Sequence, residues 1–186
     1  VIVLTMKSND TEAALEALAA AGVDRQPVVC AQNGVANETM ALRRFPTVFA
    51  MVMMLPAQYV VAGTVAALGT PKLGLLDMGR VGVGDQAPVE PLALALRAAG
   101  FECQITDRAM AGKYGKLILN LGNAVGAALG MQARFGPWYD RVKAEGEAVL
   151  AAAGVASQDV GPENPRRSQM RRVPLDGVDE VGSSSI

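Results

Sequence analysis

A chain of 186 residues, 51% of them hydrophobic and 19% charged, has a globular composition and is long enough for one large domain or two small ones. The formal net charge of −1 provides no electrostatic footprint for nucleic acid or an anionic membrane, so neither partner is expected. Histidine is absent, which excludes Ser-His and Cys-His catalysis and most zinc chemistry, and we expect no metal site.

The cysteines and the apolar stretches indicate where the protein works. Cys30 and Cys103 each lie in an apolar, strand-like run without metal-ligand spacing, so we expect buried free thiols in a reducing, cytoplasmic environment. No signal peptide pattern opens the sequence, and residues 48–55 fall short of the roughly 18 to 20 residues that a membrane span needs. The sequence starts inside a predicted strand without Met, so we expect a partial chain.

The first part of the chain alternates strand and helix patterns up to about Thr106. In chain order, the patterns predict a strand over 1–6, a helix over 11–21, a strand over 27–31, a short helix over 37–42, a strand over 47–55, a hairpin-like pair over 64–68 and 73–78, a helix over 88–99 and a strand over 101–105. Alternation of this kind is typical of an α/β domain with a parallel sheet.

A turn motif, Gln32-Asn33-Gly34-Val35, follows the second strand and precedes the short helix. A turn between a parallel strand and a helix lies at the carboxyl edge of the sheet, where open α/β sheets bind ligands. Asn33 and Gly34 are therefore candidates for a binding site.

From Arg108 onward the strand patterns stop, and this half is predicted to be all helical. We expect helices over 108–130 and 138–153, and a partly helical polar stretch after Pro162. The sequence therefore predicts two domains, 1–107 and 108–186, with a cleft between them.

The predicted long helix carries Lys113, Lys116, Asn120 and Asn123 at i, i+3, i+7 and i+10, which places them on one face among apolar neighbours. A buried ammonium is costly unless it has a partner. The pattern leaves two interpretations open. The face is solvated or forms a structural network, or Lys116 donates a proton or a hydrogen bond to a substrate oxygen while Asn120 orients the substrate.

Two further patterns have weaker functional meaning. The run from Gly79 to Gly84 lacks the G-x-G-x-x-G spacing of a dinucleotide fingerprint, so we interpret it as a flexible turn. The basic cluster Arg166, Arg167, Arg171 and Arg172 is flanked by acidic residues and is interpreted as a solvated helix face.

Four motifs, taken together and in this order, resemble the ketopantoate reductase family. They are Leu-Thr-Met-Lys7-Ser, Gln32-Asn33-Gly34-Val35, Lys116-Leu-x-x-Asn120 and Gly182-Ser183-Ser184. The resemblance implies a Rossmann-type α/β domain whose N-terminal part is missing, followed by an all-α C-terminal domain truncated at its end, the 6-phosphogluconate dehydrogenase-like arrangement. It also implies NADPH-dependent reduction of 2-dehydropantoate to pantoate, in pantothenate and coenzyme A synthesis.

The resemblance assigns roles to matching residues of this chain. Lys116 is similar to the family's catalytic lysine, Asn33 and Gly34 to its cofactor-binding turn and Lys7 to a cofactor-side lysine, while Asn120 and Ser184 are similar to substrate-binding residues. Hydride addition to a ketone builds negative charge on the carbonyl oxygen, which a positioned ammonium can stabilise and protonate. An apolar helix environment should also lower the pKa of Lys116.

Some features depart from the family, and they leave alternatives open. The glycine loop that binds the pyrophosphate is missing, as is the family's downstream glutamate, and Asn123 lies one position off the pattern. The fragment alone is therefore expected to be inactive. The alternatives are a non-catalytic paralogue or oligomerisation module of the same fold, and a related 2-keto acid dehydrogenase. The expected partners are a small keto acid and, since such helical domains often dimerise, a second copy of the chain.

Overall fold

The computed structural model describes residues 1–59 and 61–174. Its strands are β1 (Ile2–Leu4), β2 (Val28–Cys30), β3 (Val48–Met54), β4 (Ala57–Gln58), β5 (Ala66–Ala67), β6 (Gly69–Pro71), β7 (Leu75–Arg80) and β8 (Met170–Arg172). Its α-helices are α1 (Thr11–Ala20), α2 (Asn37–Leu42), α3 (Glu90–Ala98), α4 (Ala109–Leu129) and α5 (Pro137–Ala152). Short 3-10 helices cover Ser8–Asp10, Ala87–Val89, Met131–Ala133 and Pro165–Gln169.

The main sheet has the order β1-β2-β3-β7, with the first three strands parallel and β7 antiparallel to β3. Beyond β7, Glu102 and Ile105 form parallel bridges to Leu75 and Met78, so the predicted strand over 101–105 lies at the sheet edge as isolated bridges. The parallel strands predicted at 1–6, 27–31 and 47–55 are confirmed. Their carboxyl ends meet at one edge of the sheet.

Helices cover both faces of this sheet, as expected for near-continuous apolar strands. Alternate residues of β2 point to opposite faces: Val29 packs in a cluster with Ala93 of α3, whereas Val28 and Cys30 pack in another cluster with Leu15 of α1. A mainly parallel sheet with helices on both faces is the Rossmann-type arrangement, so the predicted α/β class is confirmed.

The predicted hairpin over 64–68 and 73–78 is wrong. β7 pairs with β3 along its whole length, β5 pairs with β4, and β6 pairs with β8. The Gly69-Thr70-Pro71 segment, which lies between the two predicted strands, is itself strand β6. The edge of the buried strand β3 must find hydrogen-bond partners, and the longer strand β7 satisfies it better than a local hairpin could.

Helix α4 packs closely on the sheet because glycines face its neighbours. A Cβ on Gly112 would lie 2.8 Å from Val52 Cγ2 on β3, and a Cβ on Gly115 would lie 1.7 Å from the backbone oxygen of Gln158. The Gln158 amide also donates to the Ala111 carbonyl at 2.9 Å. The predicted helix over 108–130 is confirmed, held between β3 and the segment that follows α5.

The second half of the chain is not entirely helical, contrary to the prediction. After α5 and a 3-10 helix, β8 returns to the first half and pairs with β6. Met170 of β8 packs with Met54, Leu75 and Leu119, which joins the sheet to α4. A three-residue strand with a distant partner leaves no pattern in the sequence. The domain boundary near Asp107 stays a prediction, and this pairing crosses it.

None of the helices within residues 1–59 and 61–174 combines the length and the apolarity needed to cross a lipid bilayer.

Candidate active site

A cavity of about 490 Å³ opens where the end of β3, helix α4 and the C-terminal strand β8 meet. Asn33, Lys116 and Asn120 all line it. Asn33 follows β2 at the carboxyl edge of the sheet, and the other two side chains lie one helical turn apart on α4. The structure therefore brings together three of the six predicted site residues.

Lys116 occupies an apolar part of the cavity wall. Its Nζ lies 3.0 Å from the Met54 sulfur, a weak acceptor, and no ion pair to it is found among residues 1–59 and 61–174. Burial, together with the positive charges of Arg167 and Arg134, lowers the pKa of Lys116 to about 8. The predicted direction of this shift is confirmed. An ammonium with such a pKa can give up its proton near neutral pH.

The Asn33-Gly34 turn is held by polar contacts beneath it. Asn37 Nδ2 donates to the Asn33 carbonyl at 3.0 Å, and Ser8 Oγ donates to the same oxygen at 3.3 Å. Buried Thr11 donates to Asn37 at 2.9 Å and accepts from Gln32 at 2.8 Å. Sequence analysis missed these supporting residues because the hydrogen bonds join different elements.

Gly34 has a φ of +87°, a conformation that favours glycine. Lys7 is exposed, at the start of the 3-10 helix that follows β1, and Ser8 beside it reaches the Asn33 carbonyl. Neither Lys7 nor Gly34 lines the cavity, but both lie at the same sheet edge because Leu4 of β1 pairs with Cys30 of β2. Ser184 lies outside the described residues.

The rest of the polar face on α4 lies outside the cavity. Lys113 is 3% exposed and donates to the carboxylate of Glu38, which is 1% exposed, on α2. The buried ammonium thus has the partner that its burial required. Asn123 is buried, and its Oδ1 has no hydrogen-bond partner in the part of the chain that the structure describes. Lys113 and Asn123 are not among the residues that line the cavity.

Three arginines that the sequence analysis did not select also line the cavity: Arg134, Arg167 and Arg172. Burial lowers the pKa of Arg134 and of Arg167. The interpretation of the basic cluster as a solvated helix face is therefore wrong for Arg167, which is partly buried. Arg172 is exposed, but it lies on strand β8 and not on a helix. A run of arginines does not reveal which members turn inward, and tertiary packing decides it here.

Residues 1–79 match the family model described as ketopantoate reductase PanE/ApbA. This match includes Lys7, Asn33 and Gly34 but ends before Lys116 and Asn120. The sequence match to the family therefore covers only the sheet half of the chain. The helical half is compared with known proteins by its three-dimensional fold.

Several solved structures share this fold. A PanE/ApbA family ketopantoate reductase from Ralstonia eutropha JMP134 is 26% identical with a TM-score of 0.66, over 84% of this chain and 53% of that chain. A 2-dehydropantoate 2-reductase from Methylococcus capsulatus is 21% identical with a TM-score of 0.63, over 77% and 50%. D-mandelate dehydrogenase, in a ternary structure with NADH and anilino(oxo)acetate, is 20% identical with a TM-score of 0.64, over 84% and 53%.

The chain thus spans about half the length of these relatives. The match over residues 1–79 and the shared fold over most of the chain confirm the resemblance that the motifs indicated and the Rossmann-type fold class. Residues 1–79 thus resemble the ketopantoate reductase family in sequence, and most of the chain shares the fold of a solved member of that family.

Proposed function

We propose that this chain is part of an NADPH-dependent reductase that converts 2-dehydropantoate to pantoate, a step in pantothenate and coenzyme A synthesis. The observation that carries the proposal is the meeting of Lys116, Asn120 and Asn33 in one cavity, although Asn33 comes from a distant part of the sequence. The family match over residues 1–79 supports it.

Lys116 is the general acid in this proposal. Reduction of a keto group turns its carbonyl oxygen into an alkoxide, so a cation beside that oxygen stabilises the transition state. The thioether of Met54 is a weak hydrogen-bond acceptor, which leaves the donors of Nζ available for the substrate oxygen. A pKa of about 8 lets Lys116 be protonated at neutral pH and still transfer its proton readily.

Asn120 and Asn33 orient the substrate. Asn120 follows Lys116 by one helical turn, so its carboxamide faces the same space and can bond the atoms next to the keto group. Asn33 reaches the cavity from the sheet edge, on a turn that Asn37 and Ser8 hold in place. A rigid turn keeps the substrate close to the geometry that the reaction needs. Ser184 is proposed as a further substrate-binding residue on the family resemblance.

The residues at the sheet edge fit a nicotinamide cofactor. The carboxyl ends of β1 and β2 lie side by side, which is where open parallel sheets bind dinucleotides. Lys7 and Gly34 would hold the cofactor there together with Asn33. The surroundings of Gly34 are open, since even a Cβ at this position would lie 3.8 Å from the nearest side-chain atoms. NADPH supplies the hydride when it is bound, and the preference for NADP over NAD is proposed on the family resemblance.

The test is NADPH oxidation by the intact protein with 2-dehydropantoate, compared with Lys116→Ala. Loss of a general acid should lower kcat by roughly 100-fold or more. Lys143→Ala on the exposed face of α5 is the control, since Lys143 is half exposed and lies outside the cavity. An intact protein that oxidises no NADPH with this substrate, or a Lys116→Ala variant with wild-type turnover, would refute the proposal.

A related 2-keto acid dehydrogenase is the second candidate. The likeness in fold to D-mandelate dehydrogenase, with a TM-score of 0.64, favours keeping it, and apolar residues such as Met53, Leu55 and Phe135 line part of the cavity. The same assay with aliphatic and aromatic 2-oxo acids separates the candidates by their kcat/KM values. A protein that reduces none of them fits the non-catalytic paralogue. The homodimer stays a prediction, checked by the mass of the protein in solution.

A further inference from the structure

The cavity is strongly cationic. Lys116, Arg134, Arg167 and Arg172 line it, and no Asp or Glu is among the described residues that do so. Like charges this close together repel one another, and the repulsion is unfavourable unless an anion joins them. The proposed acid, Lys116, accounts for only one of these four charges. The three guanidinium groups require an explanation of their own.

Arg166, the neighbour of Arg167 in sequence, shows what a paired arginine looks like in this protein. Its guanidinium bonds the carboxylate of Asp77 and lies 3.7 Å from the carboxylate of Glu102. None of the ion pairs found within residues 1–59 and 61–174 involves Arg134, Arg167 or Arg172. Adjacent arginines on the same 3-10 helix thus have opposite roles, one bound to the sheet and one facing the cavity.

Arg134 gives a second, independent indication that the cavity binds an anion. Its Nε is buried and has no hydrogen-bond partner in the part of the chain that the structure describes. A buried guanidinium donor without a partner is costly. The Nε of Arg166 is also without a partner, but Arg166 has an ion pair to Asp77, whereas no ion pair to Arg134 is found among the described residues. The Arg134 guanidinium also lies 5.0 Å from the ring centre of Phe135, which lines the same cavity.

We propose that Arg134 and Arg167 bind the carboxylate of a 2-oxo acid whose keto oxygen faces Lys116. A guanidinium can hold a carboxylate through two parallel hydrogen bonds, which fixes the orientation of the acid as well as its position. The arginines are specificity-determining residues in this scheme: they favour the acid anion over neutral carbonyl compounds of the same size. The inference rests on the proposed function for the identity of the reaction, but the anion preference can be measured without turnover.

The first experiment compares Arg167→Gln and Arg134→Gln with the wild type in the reduction of 2-dehydropantoate. Loss of a charge-assisted hydrogen bond should raise KM by about 10- to 100-fold, with a much smaller change in kcat. Arg171→Gln is the matched control, because Arg171 is exposed on the same strand as Arg172 and is not among the residues that line the cavity. It should keep the wild-type KM.

A pH profile separates a role in the site from a structural defect. Arg167 lowers the pKa of Lys116 through its positive charge, so Arg167→Gln should move the basic limb of the kcat profile to higher pH. Partial unfolding of the variant would lower the amount of active protein without moving that limb. Arg171→Gln should leave the limb in place.

The second experiment measures binding by calorimetry, using oxamate as an anionic probe and oxamide as its neutral counterpart. The wild type should bind oxamate at least about tenfold more tightly, and Arg167→Gln should lose most of that preference. Arg167-dependent oxamate binding without reduction of 2-dehydropantoate would refute the proposed function and support this inference. Reduction of 2-dehydropantoate with unchanged KM in both arginine variants, or equal binding of the two probes by the wild type, would overturn the inference.

Discussion

Replacement of Lys113 by Met tests the most deeply buried charge contact described here. Lys113 and Glu38 are 3% and 1% exposed, so the substitution leaves a carboxylate in the protein interior without its cation. Removal of one member of a buried pair costs about 3 to 5 kcal/mol of the free energy of unfolding. That is a large part of the roughly 5 to 15 kcal/mol that stabilises a typical domain.

The measurement is urea denaturation of the wild type and Lys113→Met at neutral pH. With a slope of roughly 2 kcal/mol per molar urea, the midpoint should fall by about 1.5 to 2.5 M. Lys143→Met is the matched control, since Lys143 and Glu147 form an exposed pair that is 45% and 53% exposed and should contribute only about 0 to 1 kcal/mol.

The double variant Lys113→Met with Glu38→Leu isolates the cause. It removes both charges, so its stability should return to within about 1 kcal/mol of the wild type or exceed it. If Lys113→Met costs no more than Lys143→Met, the pair is hydrated and the reasoning fails. If the double variant is as unstable as Lys113→Met, lost packing and not the uncompensated charge explains the effect.

Three further outcomes are expected. Because the pKa of Lys116 is lowered to about 8 in the folded protein, its ammonium opposes folding below pH 8. The free energy of unfolding should therefore rise between about pH 8 and the pKa of Lys116 in the unfolded chain, near 10.4. Denaturation measured over this pH range should show no such rise for Lys116→Met. Gly115→Ala should cost about 1 to 3 kcal/mol, because its Cβ would lie 1.7 Å from a backbone oxygen, whereas Gly136→Ala, with its nearest contact at 3.8 Å, should be tolerated in the same assay. Burial raises the pKa of Cys30 to about 12 and that of Cys103 to about 11, so an aromatic disulfide reagent at pH 8 should label neither until the protein is denatured, and rapid labelling of the native protein would contradict this.

The sequence predicted those parts of the fold that follow from local patterns. The apolar runs of β2 and β3 require burial on both faces, and the 3.6-residue period of α4 required a helix whatever its partners were. The hairpin prediction failed because β7 pairs with β3, from which it is separated in sequence by three short strands. Strand β8 was missed because its partner, β6, lies in the other half of the chain. Local patterns do not encode such pairings.

The candidate site divides in the same way. Lys116 and Asn120 could be placed together because helix periodicity fixes their spacing, and Asn33 could be placed at the ligand edge because parallel strands share it. Arg134 and Arg167 could not be predicted, since a charged side chain in a polar stretch is usually solvated. The sequence of α4 also did not reveal that Lys113 forms an ion pair with Glu38, whereas Lys116 has no ion pair among the described residues.

The pairing of β6 with β8 has a consequence for the order in which the protein is built. During synthesis the sheet half leaves the ribosome first and can begin to fold, whereas β8 emerges after every other described element. Closure of a contact so distant in sequence is slow because a long loop must be ordered first. Arg167, Met170 and Arg172 contribute to the cavity wall, so a nascent chain carries Lys116 in an open, hydrated groove until the segment with these three residues docks. The sheet half can therefore begin to fold well before the cavity is complete.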